Sequence, residues 1–239
     1  MDMPSFDPKK PENIVNEVFD DDRWEKDKFR ECFATEILRF AEALAPSFAL
    51  FESLNQQART DQASLVAGCI HGVLDDLVVS TKLLVTGKLM ASGNVMCQAI
   101  EGICIAIMCA SDRPMEIHDT TLIHWRCMEA RDARVMGHKA VRQVEKNRET
   151  LGVKQDAVDR IKKAKEHYDQ FSHSGLMGIA SRVSLDQVGQ IFVGGSFDES
   201  KLNAYRVEIR ERIGLCGVMP QVTIPRQSRG LSLCEPLKA

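Results

Sequence analysis

Aromatic residues are scarce in this 239-residue chain, at 6% of positions, with 2 Trp and 2 Tyr. That disfavours a β-sandwich, whose core leans on large flat side chains. No Cys-x-x-Cys pair occurs among the 8 cysteines, which removes the redox and zinc motifs that need that spacing. G-x-G-x-x-G, G-x-S-x-G and H-E-x-x-H are all missing, and the Gly87-Lys88 pair has no glycine at the spacing of a phosphate-binding loop. Dinucleotide, nucleoside-triphosphate, serine-hydrolase and zinc-protease chemistries are thereby disfavoured. The most apolar run, VMCQAIEGICIAIMCA (95–110), falls short of the roughly 20 residues of a membrane span and contains Gln98 and Glu101, so no membrane association is expected.

What is present is helical. Apolar residues make up 44% and charged residues 27%, ordinary for a globular protein, and a core of Leu, Ile, Val, Ala, Met and Cys suits packed helices. The N-terminus is acidic and rich in Pro and Asp, unlike a secretory leader. Most cysteines sit inside apolar helical runs, as small core residues. Together these favour a reducing, cytoplasmic setting.

Residues 1–22 read as a loose or partly helical lead. A single helical domain is expected over 23–216 and an extended or disordered tail over 217–239, where Pro220, Pro225 and Pro236 fall. The pattern predicts helices over about 24–55, kinked or broken before Pro46, and 61–86, capped by Asp61. A third spans 90–110, with Cys97, Ile100, Cys104 and Ile107 as a buried stripe. A long amphipathic helix is predicted over 120–149, with Ala133, Met136, Ala140 and Val144 on one face. The next, 153–171, carries Ala157, Ile161, Ala164, Tyr168 and Phe171 inward. The β-prone pieces MGIASRVS and QIFVGG predict a two-stranded hairpin at about 177–194. A final helix follows over 199–214, burying Leu202, Tyr205, Ile209 and Ile213. The expected fold class is therefore mainly α: a bundle of about five to seven helices with a small C-terminal hairpin and a final helix.

Charge is uneven along the chain. Residues 1–120 carry 11 basic and 20 acidic side chains, a net −9; residues 121–239 carry 20 and 14, a net +6. The basic surplus concentrates in 126–165, a face that can attract phosphate or RNA. The densest polar stretch is EHYDQFSHSG (166–175). Much of it fits a helix end: a histidine in the last turn suits the helix dipole, Gly175 can cap, and Ser172 and Ser174 can bond freed backbone groups. Alternatively, Arg160 and His167 share one helical face about 10 Å apart. There an arginine can hold a phosphodiester while a histidine moves a proton at neutral pH. His71 and Asp75, four apart on one helix, are the candidate metal pair, with His118, His124 and Cys127 as further donors, but no second ligand pair accompanies them. No cofactor is implied.

An arginine, six residues (IKKAKE) and a histidine, late in an all-α bundle, resemble the motif of the HEPN superfamily. The resemblance implies a bacterial, metal-independent ribonuclease acting as a homodimer, with Arg160 and His167 as its catalytic residues. Where that family usually has a polar residue after the arginine, this chain has Ile161. GKLMASGNVMCQAIEG with Glu101, and YDQFSHSG with Tyr168, Ser172 and His173, are similar to uncharacterised bacterial helical domains in which a glycine-led helix bears a mid-helix glutamate. That likeness implies a polar pocket where Glu101 faces His173, beside Tyr168 and Ser172. Three readings of function stand at this point: a dimeric interaction or ligand-binding module, a HEPN-like ribonuclease, and a metal-dependent enzyme.

Overall fold

The computed structural model describes residue 7 and residues 9–135, 137–172, 175–185 and 189–219. The chain is mainly helical, as expected, with ten α-helices and one two-stranded antiparallel hairpin among the described residues. α1 (Pro11–Phe19), α2 (Arg23–Gln57), α3 (Asp61–Leu84) and α4 (Leu89–Cys109) fill the N-terminal half. Two short strands follow, β1 (Met115–Ile117) and β2 (Thr120–Leu122), then α5 (His124–Glu129), α6 (Ala140–Lys146) and α7 (Arg148–Leu151). α8 (Gln155–Ser172), α9 (Leu176–Ala180) and α10 (Leu202–Cys216) complete it.

α3 and α4 form the central helical hairpin. Both are long and apolar enough to cross a membrane by length and composition alone, and here they pack on one another. Val73 meets Gly102 and Ser80 meets Met96 between them, and Val73, Leu77, Met96, Ile100 and Ile103 are all buried. Thr60, not Asp61, caps α3: its side chain accepts a hydrogen bond from Ala63 N at 3.1 Å, and Asp61 sits inside the first turn. The link between the two helices turns at Gly87, whose φ of +71° and contact with the Ser196 backbone leave no room for a side chain.

α2 covers the hairpin on one side and packs against α10. An aromatic cluster joins them, with Phe29 4.7 Å from Tyr205 and 5.1 Å from Phe197, centroid to centroid. Pro46 lies inside α2, and the departure from helical angles occurs at Phe33 rather than before the proline. α8 lies across α4, burying Ile161, Ala164, Tyr168 and Phe171 as the spacing predicted; at its start Val158 is buried and Ala157, the expected member of the stripe, is only half-buried.

Two expectations are corrected. The helix predicted over 120–149 is not continuous: β2, α5, a 3-10 turn at Gly137–Lys139, α6 and α7 occupy that stretch. His118 and Asp119 both take positive φ, 47° and 59°, which makes the two-residue connection of a tight hairpin between β1 and β2. Arg131 also lies in the left-handed region, and Asp132 accepts from Arg134 N, so the chain turns where a helix was expected. Ala140 and Val144 are buried, Ala133 is exposed, and Met136 lies outside the described residues. The hairpin expected at 177–194 is met in part: residues 177–180 belong to α9, while residues 182–184 and 190–192 pair antiparallel through Ser184 N to Gln190 O, Phe192 N to Arg182 O and the bridge Val183 to Ile191. The regular two-stranded ladder among the described residues lies at 115–122, and the shorter helices raise the count above the expected five to seven.

Gly93 sets the closeness of α4 and α8. A Cβ built there would lie 2.5 Å from Phe171 Cβ, an atom fixed to the α8 backbone that no rotamer change can move aside. We therefore expect Gly93→Ala to destabilise the fold by about 1–3 kcal/mol, despite alanine's better helix propensity. A urea midpoint at or above wild type would show that the two helices separate freely.

Candidate functional site

α8 presents Arg160, Lys163 and His167 at i, i+3 and i+7, along the edge next to its buried stripe. α10 presents Glu208, Glu211, Arg212 and Leu215 at a matching spacing. Between these edges, over α4, lies a cavity of about 250 Å³. Ile100 and Ile103 of α4 make its floor with Ile161 and Leu215, and Arg160, Lys163 and Glu211 stand at its mouth. Gly214 on the α10 wall carries no side chain and has open space where one would be.

One turn farther along the same two helices, polar groups join them. His167 Nε2 donates to Glu208 Oε1 at 2.7 Å, and Arg212 Nη1 donates to Glu208 Oε2 at 2.9 Å. Arg212 also reaches the Tyr168 hydroxyl at 3.4 Å and donates to Ser92 Oγ, which in turn donates to Ser80 O at 2.7 Å. The network thus runs from α8 and α10 through α4 to α3. Its charged centre is dry, with Arg212 and Glu208 side chains 0% and 5% exposed.

Charge pairing decides the protonation states. Burial alone would push Glu208 up, but hydrogen bonds from His167 and Arg212 hold it below the usual carboxylate range. The hydrogen bond to Glu208 raises His167 above its ordinary value, against the opposing effect of burial. Burial raises the Tyr168 phenol and keeps it neutral. Arg212 Nε is buried without a hydrogen-bond partner among the described residues, so the site is tightly but incompletely satisfied.

The residues expected to act are distributed as follows. Arg160 is exposed and donates to Asp156 Oδ2 at 3.1 Å, one turn back on its own helix. His167 is half-buried, with its Nε2 engaged by Glu208. Tyr168 is buried against Arg212, and Ser172 is the last residue of α8. Glu101 is half-buried and pairs with Lys165 at 3.2 Å; Lys165 also pairs with Asp169, whose carboxylate meets Cys97 Sγ at 3.9 Å. His173 lies outside the described residues, and so does the expected Glu101–His173 pair. His71 and Asp75 are on the exposed side of α3, with the His71 ring against Phe51 at 5.2 Å. Among the described residues, the one group of three or more potential ligands within 4.8 Å of each other is Asp20, Asp22 and Glu25. Asp22 there already pairs with Lys88 at 2.6 Å. His124, a further candidate donor, is buried at 3.4 Å from Cys109 Sγ and pushed down to about 4 by burial.

Glu208, Arg212 and Ser92 were not anticipated. The signal was present for the first two: Tyr205, Glu208, Ile209 and Arg212 fall on one helical face, so burying Tyr205 and Ile209 carries both charges inward. Ser92 offered no such signal. No protein-family model, curated protein or solved structure matches this chain.

The sign of each shift sets a pH dependence. His167, raised in the folded state, contributes stability that is fully present below the free imidazole value of about 6.5 and is lost as pH rises through the folded value. Glu208, lowered, contributes stability above the free carboxyl value that is lost as pH falls. The deficit of His167→Gln relative to wild type should therefore be larger at mildly acidic than at alkaline pH. Arg212→Met, which strands a buried carboxylate, should cost about 3–5 kcal/mol near neutrality. Denaturant titrations across pH test both, and a pH-independent His167→Gln deficit would remove the charged pair from the account.

Proposed function

We propose that the protein is a non-catalytic binding module. Its site is the cleft between α4, α8 and α10, which takes a group with an apolar body and negative charge. The observation that carries this reading is the pairing of an apolar floor with two cations at the mouth, Arg160 and Lys163. Desolvated isoleucine and leucine surface supplies affinity, and the cations supply orientation and sign selection. The neighbouring His167–Glu208–Arg212 network supports the walls: it fixes the spacing of α8 and α10 and leaves His167 occupied.

The test uses 1-anilinonaphthalene-8-sulfonate, whose phenyl ring offers an aromatic anchor and whose sulfonate offers the negative charge. We expect saturable binding by the full chain, weakened on the order of tenfold in Arg160→Glu/Lys163→Glu. Equal affinity in wild type and variant would take the binding site away from this cleft.

One observation favours the HEPN-like ribonuclease as a second reading. Arg160, Lys163 and His167 line one edge of α8, and a carboxylate favours the protonated imidazole, as suits a general acid. The wider basic face supports it less, because Arg134, Lys146, Arg148 and Lys162 each pair with a carboxylate. Incubation of end-labelled RNA with the purified protein in EDTA decides it. Cleavage by wild type and none by His167→Ala would establish this reading over the first, whereas the binding reading expects none from either.

A further inference from the structure

α1 is a helix with no buried residue. Its apolar side chains Ile14, Val15, Val18 and Phe19 are all exposed, Phe19 to 82%, beside polar Glu12, Asn13, Asn16 and Glu17. An amphipathic helix whose apolar face meets water is ordinarily a helix missing its partner. Immediately after Phe19 come Asp20 and Asp21, both exposed. The outermost element of the acidic half of the chain therefore ends in an aromatic knob followed by two carboxylates.

The cleft between α4, α8 and α10 has the complementary form. At about 250 Å³ it is smaller than the roughly 300–1,000 Å³ usual for small-molecule sites. It suits a single anchoring side chain, and aromatic anchors in such pockets dominate interface energies. Arg160 and Lys163 at its mouth are placed for carboxylates flanking the anchor. Glu211 lines the same mouth, so two of its three charged side chains are cationic. Arg160 is held by Asp156 in an exposed pair, which is worth little and exchanges readily.

The knob does not reach the cleft of its own chain. Asp22 is tied to Lys88 at the start of α4, and Glu17 lies against Gly194. The cleft floor begins at Ile100, roughly 18 Å farther along α4. Within one chain, arm and cleft therefore stay apart.

We propose that Phe19 of one copy seats in the α4–α8–α10 cleft of a second copy, with Asp20 and Asp21 against Arg160 and Lys163. The reciprocal contact closes a two-fold dimer. This inference rests on the cleft being a binding site, as proposed above, and names its occupant. Each chain contributes the same arm and the same cleft, so the two contacts form together and no edge is left for further growth. The opposite charges of the two halves of the chain, −9 and +6, steer arm to cleft and keep arm from arm.

Light-scattering mass of the full chain over a concentration series tests the dimer. Wild type should approach the mass of two chains. Phe19→Ser, at an exposed position that leaves the fold intact, should weaken the dimer at least about tenfold, as truncation of an interface anchor does. Arg160→Glu/Lys163→Glu should do the same, and adding Asp20→Lys/Asp21→Lys should restore association, a recovery that misfolding cannot produce. Phe19→Ser should also bind the anilinonaphthalene sulfonate probe more tightly, since the cleft is vacated. A single-chain mass at every concentration, or a dimer indifferent to Phe19, overturns the proposal. If the probe still depends on Arg160 and Lys163 in that case, the occupant alone is wrong; if it does not, the cleft reading falls with it.

Discussion

The contact on which the rest of this structure depends is the buried pair of Arg212 and Glu208. Two charges taken out of water are unfavourable on their own, and they are tolerated where close pairing and further hydrogen bonds offset that cost. Here the partners come from three other helices: His167 and Tyr168 from α8, Ser92 from α4, and through Ser92 the backbone of α3. A shift of α10 along α8 by one turn would strand both charges in the core. Apolar surfaces of Leu and Ile tolerate sliding because their attraction has no direction. The ionic network does not, so it sets the register in which the apolar surfaces meet.

That register shapes the cleft. α8 and α10 are bridged at His167–Glu208, and from there toward Arg160 and Leu215 they enclose the cavity over Ile100 and Ile103. Small residues complete it: Gly214 leaves the α10 wall open, while Gly93, farther back on α4, lets Phe171 approach closely and brings α8 down onto the core. Packing at one end of α8 and charge pairing in its last turns therefore hold the cationic mouth in place, although neither contact lies in it.

Much of this was legible in the sequence where one physical signal dominates. α3, α4, α8 and α10 are long, and their apolar spacing at three and four residues outweighs other local preferences, so their bounds and inward faces follow from periodicity. The stretch 115–149 was not legible because backbone conformation decides it. His118 and Asp119 take positive φ without the Asn-Gly pair that usually announces such a turn, and β2 then takes up the first residues of the expected helix. The segment 177–194 was legible only in part: residues 182–184 and 190–192 do pair antiparallel, but residues 177–180 join helix α9, and Ile179, Ile191 and Val193 are exposed rather than packed as in a half-buried sheet. Glu208 and Arg212 were hidden by a general rule, that charges lie outside, which fails when two charges satisfy each other.

The stretch EHYDQFSHSG was read from sequence as either a helix end or a site, and the structure places much of it in a third role. His167 reaches Glu208, Tyr168 reaches Arg212, and Phe171 closes on Gly93, so three of its side chains fasten α8 to α10 and α4. His167 fastens α8 to α10 through a 2.7 Å hydrogen bond to a buried carboxylate, while 32% of its side chain stays exposed. The polar density that made the segment resemble an active site arises from the same need as the network itself. Charges brought inside a helical core must be met by donors and acceptors from each helix packed against them, and in this fold α8 supplies most of them from its last turns.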